Sequence, residues 1–282
     1  MAELPLIYGT GLSGLIGTKL VADLSDRYRF VNLDLSRGVD ILDAATLEKV
    51  VQEEGAAEAL IHLAAFTDAN AAQEQNDDIS GSAYQVNVVG TENIARLCQK
   101  HGMHLVHIST SYVFDGTKEG AYTEQDATSA SEWYGFTKQK AEEVVAQLVP
   151  NATILRISFP YRRDEFAKPD IWRKMAAALQ AGKSGPFFAD HHFTLTPIEW
   201  LSKVMAWALQ AKPAGIFHAT TETVYTDLSL AQEIANELGI ETELQGSSVI
   251  DYNKTAARPY QPNLVLSNEK LKQAMGSSFP AL

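Results

Sequence analysis

The chain has 282 residues, 45% of them hydrophobic and 21% charged, a balance that excludes disorder and suits one large domain or a domain with a smaller lobe. Its 23 Lys plus Arg against 35 Asp plus Glu leave a net charge of −12, which argues against a nucleic-acid partner. One cysteine, Cys98, provides neither an internal disulfide nor a zinc cluster, and with no apolar run of membrane-spanning length the expectation is a soluble, cytoplasmic protein without a membrane partner.

Leu6-Ile7-Tyr8 is an apolar run with strand propensity that leads directly into Gly9-Thr10-Gly11-Leu12-Ser13-Gly14-Leu15-Ile16-Gly17. The four glycines remove side chains where a backbone turns tightly and approaches something closely. The pattern predicts a dinucleotide held at Gly9, Gly11, Leu12, Ser13, Gly14, Leu15 and Ile16, its pyrophosphate on backbone N–H groups at a helix N-terminus. An ordinary strand–turn–helix that uses glycine only for packing is the plain alternative.

Phe30-Val31-Asn32-Leu33 predicts a second strand ending at Asp34, on the order of 20 residues beyond the turn, where an acid accepts hydrogen bonds from the adenine ribose. A carboxylate there repels a 2′-phosphate and favours NAD, whereas Arg37 would clamp that phosphate and admit NADP. A short strand around Val39-Asp40-Ile41 is expected next, with Asp40 and Ile41 beside the adenine, before Asp43 caps a helix carrying Leu47, Val50 and Val51.

Ala59-Leu60-Ile61-His62-Leu63 reads as a strand covered on both faces. A helix from Gly81 to His101, a strand from His104 to Ser109, a helix from Ser131 to Leu148 and a strand from Ala152 to Ile157 follow. This alternation predicts an α/β fold, a parallel sheet wound with helices on both sides. Beyond Ser158 the rhythm breaks, with one helical patch at Ile171–Ala181. A helix at Pro197–Ala211 and a strand at Gly215–Ala219 return to the main sheet, and another helix spans Leu228–Leu238. The expected division is a dinucleotide-binding domain, residues 1–158 plus 194–220, and a small substrate-binding lobe, residues 159–193 plus 221–282. The lobe caps the sheet's C-terminal edge, where ligands of open α/β sheets bind.

Tyr134-Gly135-Phe136-Thr137-Lys138 places a phenol and an ammonium one turn apart on a single helix face. A nearby ammonium stabilises a phenolate and draws its pKa down toward neutrality. Such a tyrosine exchanges a proton with a carbonyl or alcohol oxygen while hydride moves at the attached carbon. Ser109-Thr110-Ser111, at the end of a strand, supplies hydroxyls for the same oxygen.

These motifs, together with Leu63-Ala64-Ala65-Phe66-Thr67, Asn87-Val88-Val89-Gly90-Thr91, Tyr112-Val113-Phe114-Asp115-Gly116 and Ala257-Arg258-Pro259, resemble the extended short-chain dehydrogenases/reductases. Within that superfamily the chain is most similar to the dTDP-4-dehydrorhamnose reductase group. The resemblance implies a Rossmann-type domain, NAD or NADP as cofactor, and reduction of a keto group on a nucleotide-activated sugar or related carbohydrate. It implies Tyr134 as general acid, Lys138 as the group that lowers its pKa and holds the nicotinamide ribose, and Thr110 as the hydrogen bond to the substrate oxygen. Ala64, Ala65, Phe66, Thr67, Ile108 and Phe159 would line the cofactor and Asn87 would support it. Thr67, Thr110, Ser111, Phe114 and Arg258 would face substrate. Family reductases carry Asp directly after the catalytic Thr, whereas this chain has Ser111. His191 and His192 stand either as substrate contacts or as exposed loop histidines, and with no third ligand at a recognisable spacing no metal is expected. An NAD-dependent epimerase using the same residues and a non-catalytic regulatory subunit are the alternative functions. Superfamily relatives often form homodimers.

Overall fold

The computed structural model describes residues 3–281. Six parallel strands form its central sheet: β1 (Leu6–Thr10), β2 (Arg29–Asn32), β3 (Ala59–His62), β4 (His104–Thr110), β5 (Thr153–Ile157), and Gly215–His218. The last of these pairs with β5 at one edge, and the sheet runs from it through β5, β4, β3 and β1 to β2. The order reverses between β1 and β3, which opens a crevice at the carboxyl ends of those two strands.

Strand side chains alternate between two cores. Ile7, Ile61, Val106, Ile108, Leu155 and Ile157 pack against α1 (Leu15–Leu24) and the helix Ile198–Ala211. Tyr8, Leu60, Leu105 and Ile154 pack on the other face against α2 (Ala44–Glu54) and the helix Thr91–His101. The central strands are accordingly buried throughout.

Two predicted elements differ. Val39-Asp40-Ile41 forms no strand: a 3₁₀ turn at Leu35–Arg37 and an Asp40 side chain accepting from the Leu42 N–H at 2.9 Å fold the segment back, and Val39 and Ile41 insert into the α2-side core. The helix expected from Gly81 to His101 is continuous in direction but carries a π-helical turn at Gln85–Gly90. That turn presents Asn87 toward the loop after β3, a common use of π turns.

Beyond β5 the chain leaves the sheet. β6 (Pro160–Tyr161) leads to α3 (Ile171–Gln180), which packs against the helix Asp227–Leu238 over a separate core containing Trp172, Leu179, Phe193, Leu230 and Leu264. The strands His192–Thr194, Val224–Thr226 and Asn263–Leu264 complete this smaller body as a three-stranded sheet.

Candidate active site

A cleft of about 890 Å³ runs between the sheet edge and the smaller body. The glycine turn forms one end. Gly11 adopts φ +70°, and a Cβ there would stand 2.7 Å from the Ala64 amide nitrogen; a Cβ on Gly17 would overlap Leu12. Both positions therefore require glycine for backbone to pass backbone. Gly11, Ser13, Gly14, Leu15, Ile16, Ala64, Ala65, Thr67, Ile108, Thr110, Tyr134, Lys138 and Phe159 all line this one cleft. These segments are far apart in the chain, and β1, β3, β4 and the helix Trp133–Leu148 bring them together.

The switch point is tied by polar contacts. Thr10 Oγ1 lies 2.6 Å from His62 Nδ1 and accepts from the Ala64 N–H at 3.1 Å. Asn87 Oδ1 accepts from the Phe66 N–H at 2.8 Å, while its Nδ2 donates to Phe66 O and to Thr137 Oγ1 at 3.1 and 2.9 Å. Asn87 thus holds the wall of the cleft to the helix of Tyr134 without lining the cleft itself.

At the other end, Glu132 caps the helix Trp133–Leu148, accepting from the Tyr134 and Gly135 N–H groups. Burial pushes the Glu132 carboxyl up to about 7. Lys138 Nζ donates to Ile108 O at 2.8 Å and lies 3.2 Å from His107 Nε2; burial pulls its pKa down to about 8. Burial and the Glu132 charge raise the Tyr134 pKa, while the Thr110 hydroxyl lowers it. The expected drop of the phenol toward neutrality is therefore corrected. The ammonium is turned to β4, and in this arrangement Tyr134 keeps its proton at neutral pH.

Other sequence expectations also need correction. Asp34 stands beneath the turn, accepting from Gly11 N–H and from Ser13 N–H and Oγ–H, the last two at 2.8 and 2.6 Å, so both its oxygens are engaged by protein. Gly9 and Leu12 pack on each other under the turn. Asp40 caps its local turn and Ile41 is core. Phe66 faces a cluster with Trp133 and Phe136 instead of the cleft. Ser111 is fully buried and donates to Ser158 Oγ at 3.2 Å. Phe114 is fully buried, stacked on Tyr122 at 4.1 Å beneath the Arg156 guanidinium. Neither Ser111 nor Phe114 lines the cleft. Arg258 lies outside the cleft lining, its Nε donating to Asn70 Oδ1 at 2.7 Å and its guanidinium 4.5 Å above the Tyr260 ring. His191 is buried, Nδ1 2.6 Å from Asp227 Oδ2, because Phe159, Phe188, Phe193 and Tyr260 surround it; His192 is exposed.

Sequence reasoning missed Tyr112, Phe166, Lys168 and Lys174 in the cleft lining and His107 behind it. Only the mixture of charge and aromatics after Ser158 hinted at Phe166, Lys168 and Lys174. Among the described residues no group of three or more His, Cys, Asp or Glu side chains is placed to hold a metal, and no helix is long and apolar enough to cross a membrane.

The family described as the RmlD substrate binding domain matches residues 6–281. The chain belongs to the dTDP-4-dehydrorhamnose reductase family. Family relatives include a probable low-salt glycan biosynthesis reductase of Haloferax volcanii, 30% identical over 97% of this chain and 93% of that protein. A dTDP-4-dehydrorhamnose reductase of Mycobacterium tuberculosis is 33% identical over 83% of this chain and 76% of its own. Among solved structures, the dTDP-4-dehydrorhamnose reductase of Bacillus anthracis in complex with NADP superposes with a TM-score of 0.87 at 23% identity, covering 96% of this chain and 93% of that one. The parallel six-stranded sheet of this chain is of Rossmann type, and its fold is that of this structural neighbour.

Proposed function

We propose that the protein reduces a keto group on a nucleotide-activated sugar, with NAD(P)H as hydride donor and Thr110, Tyr134 and Lys138 acting at the carbonyl oxygen. The observation that carries this reading is that the glycine turn and all three of these side chains line one cleft. Relatives named as reductases of dTDP-linked sugars support the substrate class.

The cleft suits a dinucleotide: its one lining carries the glycine turn at Gly11, Ser13 and Gly14, the loop at Ala64 and Ala65, and Tyr134 with Lys138. When bound, the reduced nicotinamide supplies hydride to the carbonyl carbon. Tyr134, protonated at neutral pH, donates its proton to the oxygen. Thr110, at the end of β4, donates a second hydrogen bond there, stabilising the charge that develops. Lys138 is still mostly cationic at pH 7, one helical turn from Tyr134, and offsets the phenolate left behind. Ile108, Ile157 and Phe159 keep this end of the cleft apolar. The smaller body, residues 159–193 plus 221–264, supplies the substrate side; the expected lobe boundary at the C-terminus is corrected, because the helix Glu269–Met275 places Leu271 and Met275 in the core of the main sheet.

We include NADP with NAD because the Asp34 carboxylate, engaged by the turn, does not stand free to repel a 2′-phosphate, and exposed Arg37 follows three residues on. The test is consumption of NADPH or NADH by purified protein supplied with dTDP-4-keto-6-deoxy sugars. Steady consumption supports the reading. Dinucleotide retained through dialysis, with none consumed on any keto-sugar, would overturn it in favour of an epimerase.

A further inference from the structure

The segment between β6 and α3, residues 162–170, straps the cleft and is fastened on both sides. Arg162 is buried and donates from Nη1 to Leu15 O at 3.2 Å and to Thr18 Oγ1 at 2.8 Å on α1, while Asp164 accepts from its Nε at 2.6 Å. At the other end, Lys168 Nζ donates to Thr67 Oγ1 at 3.0 Å. Lys168 and Lys174, the latter in the first turn of α3, line the cleft together with Gly11, Ser13 and Gly14.

Two independent features give these lysines a purpose. Neither forms an ion pair among the described residues, although the chain carries an excess of twelve negative charges. The one carboxylate in the lining, Asp170, is already engaged by the Arg162 and Arg173 N–H groups at 3.2 and 3.0 Å. Uncompensated ammonium groups on an apolar-walled cleft attract an anion. The glycine turn, for its part, has few N–H groups left for one. Gly11 and Ser13 donate to Asp34, and Gly14 donates to Gly11 O at 3.0 Å.

We propose that Lys168 and Lys174 are a diphosphate clamp, contributed by the smaller body, that grips the pyrophosphate of the dinucleotide from the side opposite the glycine turn. Binding exchanges the Lys168–Thr67 hydrogen bond for a charge-assisted one to a phosphate oxygen and frees the Thr67 hydroxyl. Arg162 keeps the strap anchored to α1 while Lys168 moves. The proposal rests on the reading of the cleft as a nicotinamide-dinucleotide site.

The experiment is equilibrium binding of NADPH, ADP-ribose and dTDP to the wild-type chain, to Lys168→Gln/Lys174→Gln and to Lys168→Arg/Lys174→Arg. Both lysines are exposed, so all three proteins should share one melting temperature. The Gln pair is expected to weaken NADPH and ADP-ribose by about tenfold or more and to flatten the salt dependence, with dTDP unchanged. The Arg pair should restore most of the affinity. Dinucleotide affinity within about twofold of wild type in the Gln pair, or a loss confined to dTDP, overturns the clamp while leaving the reductase reading intact. Failure of the wild-type chain to bind any dinucleotide overturns both.

Discussion

Lys138 Nζ stands 3.2 Å from His107 Nε2 and donates to Ile108 O at 2.8 Å, so the helix of Tyr134 is bound through its lysine to the strand that ends in Thr110. Burial, then the neighbouring Lys138 and His62, hold His107 well below its ordinary pKa, so its neutral ring accepts from the ammonium. His107→Leu removes that acceptor and leaves the charged form of Lys138 less well solvated. The lysine pKa should then fall further below about 8, and the alkaline limb of kcat/KM should move to lower pH. An unmoved limb in the pH–rate profile would show that the contact does not tune the lysine.

Tyr134→Phe deletes the proposed proton donor but keeps the ring that packs against Tyr112 at 5.7 Å. Turnover of an identified keto-sugar should fall by roughly 10²–10⁴, with dinucleotide affinity nearly unchanged. Full activity in this variant refutes Tyr134 as the acid.

Glu132 titrates near 7 in the folded protein against an ordinary value of 4.5. Between these values the folded state binds more protons than the unfolded one, so this residue's contribution is full below about 4.5 and is lost as pH rises through about 7. Glu132→Gln removes the titration and keeps one of the two oxygens that accept from the Tyr134 and Gly135 N–H groups. Its urea-unfolding free energy should lack the decline that the wild-type chain shows across this window; identical pH profiles would contradict the assignment.

Arg156 and Glu142 form a two-pronged ion pair, Nε–Oε1 2.9 Å and Nη2–Oε2 2.7 Å, with both side chains buried. Glu142→Leu strands the guanidinium in the core and should cost about 3–5 kcal/mol in urea unfolding. Because Glu142 also raises the Lys138 pKa, Glu142→Gln should shift the alkaline limb in the same direction as His107→Leu.

Ser111→Ala tests a correction made by the structure. Its hydroxyl points to Ser158 inside the protein, so KM for a nucleotide-sugar substrate should change by less than about twofold. A large rise in KM would place Ser111 at the substrate after all.

The sheet was readable in the chain because each strand is a short apolar run between helical periodicities, and β1, β3, β4 and β5 fall within a residue or two of the predicted spans. The third predicted strand failed because Val39 and Ile41 have the same alternation when they plug a core from a turn as when they lie in a strand. Phe114 and Ser111 failed for a related reason. Ser111 follows Thr110 directly and Phe114 closes the 3₁₀ turn at Ser111–Val113, and that turn leaves both buried.

By itself, the order of residues marked a turn that tolerates no side chain at Gly11, hydroxyls at a strand end in Ser109-Thr110-Ser111, and a one-turn helical pair in Tyr134 and Lys138; resemblance to the family singled out Thr110, and the fold lines one cleft with all four. Only the tertiary structure decided what surrounds them. The Asp34 carboxylate closes the turn, His107 takes the lysine from behind, and the strap brings Lys168 and Lys174 to the cleft. These contacts join residues distant in the chain, and no local pattern of hydrophobicity or spacing encodes which side chain will meet a charge across a sheet edge.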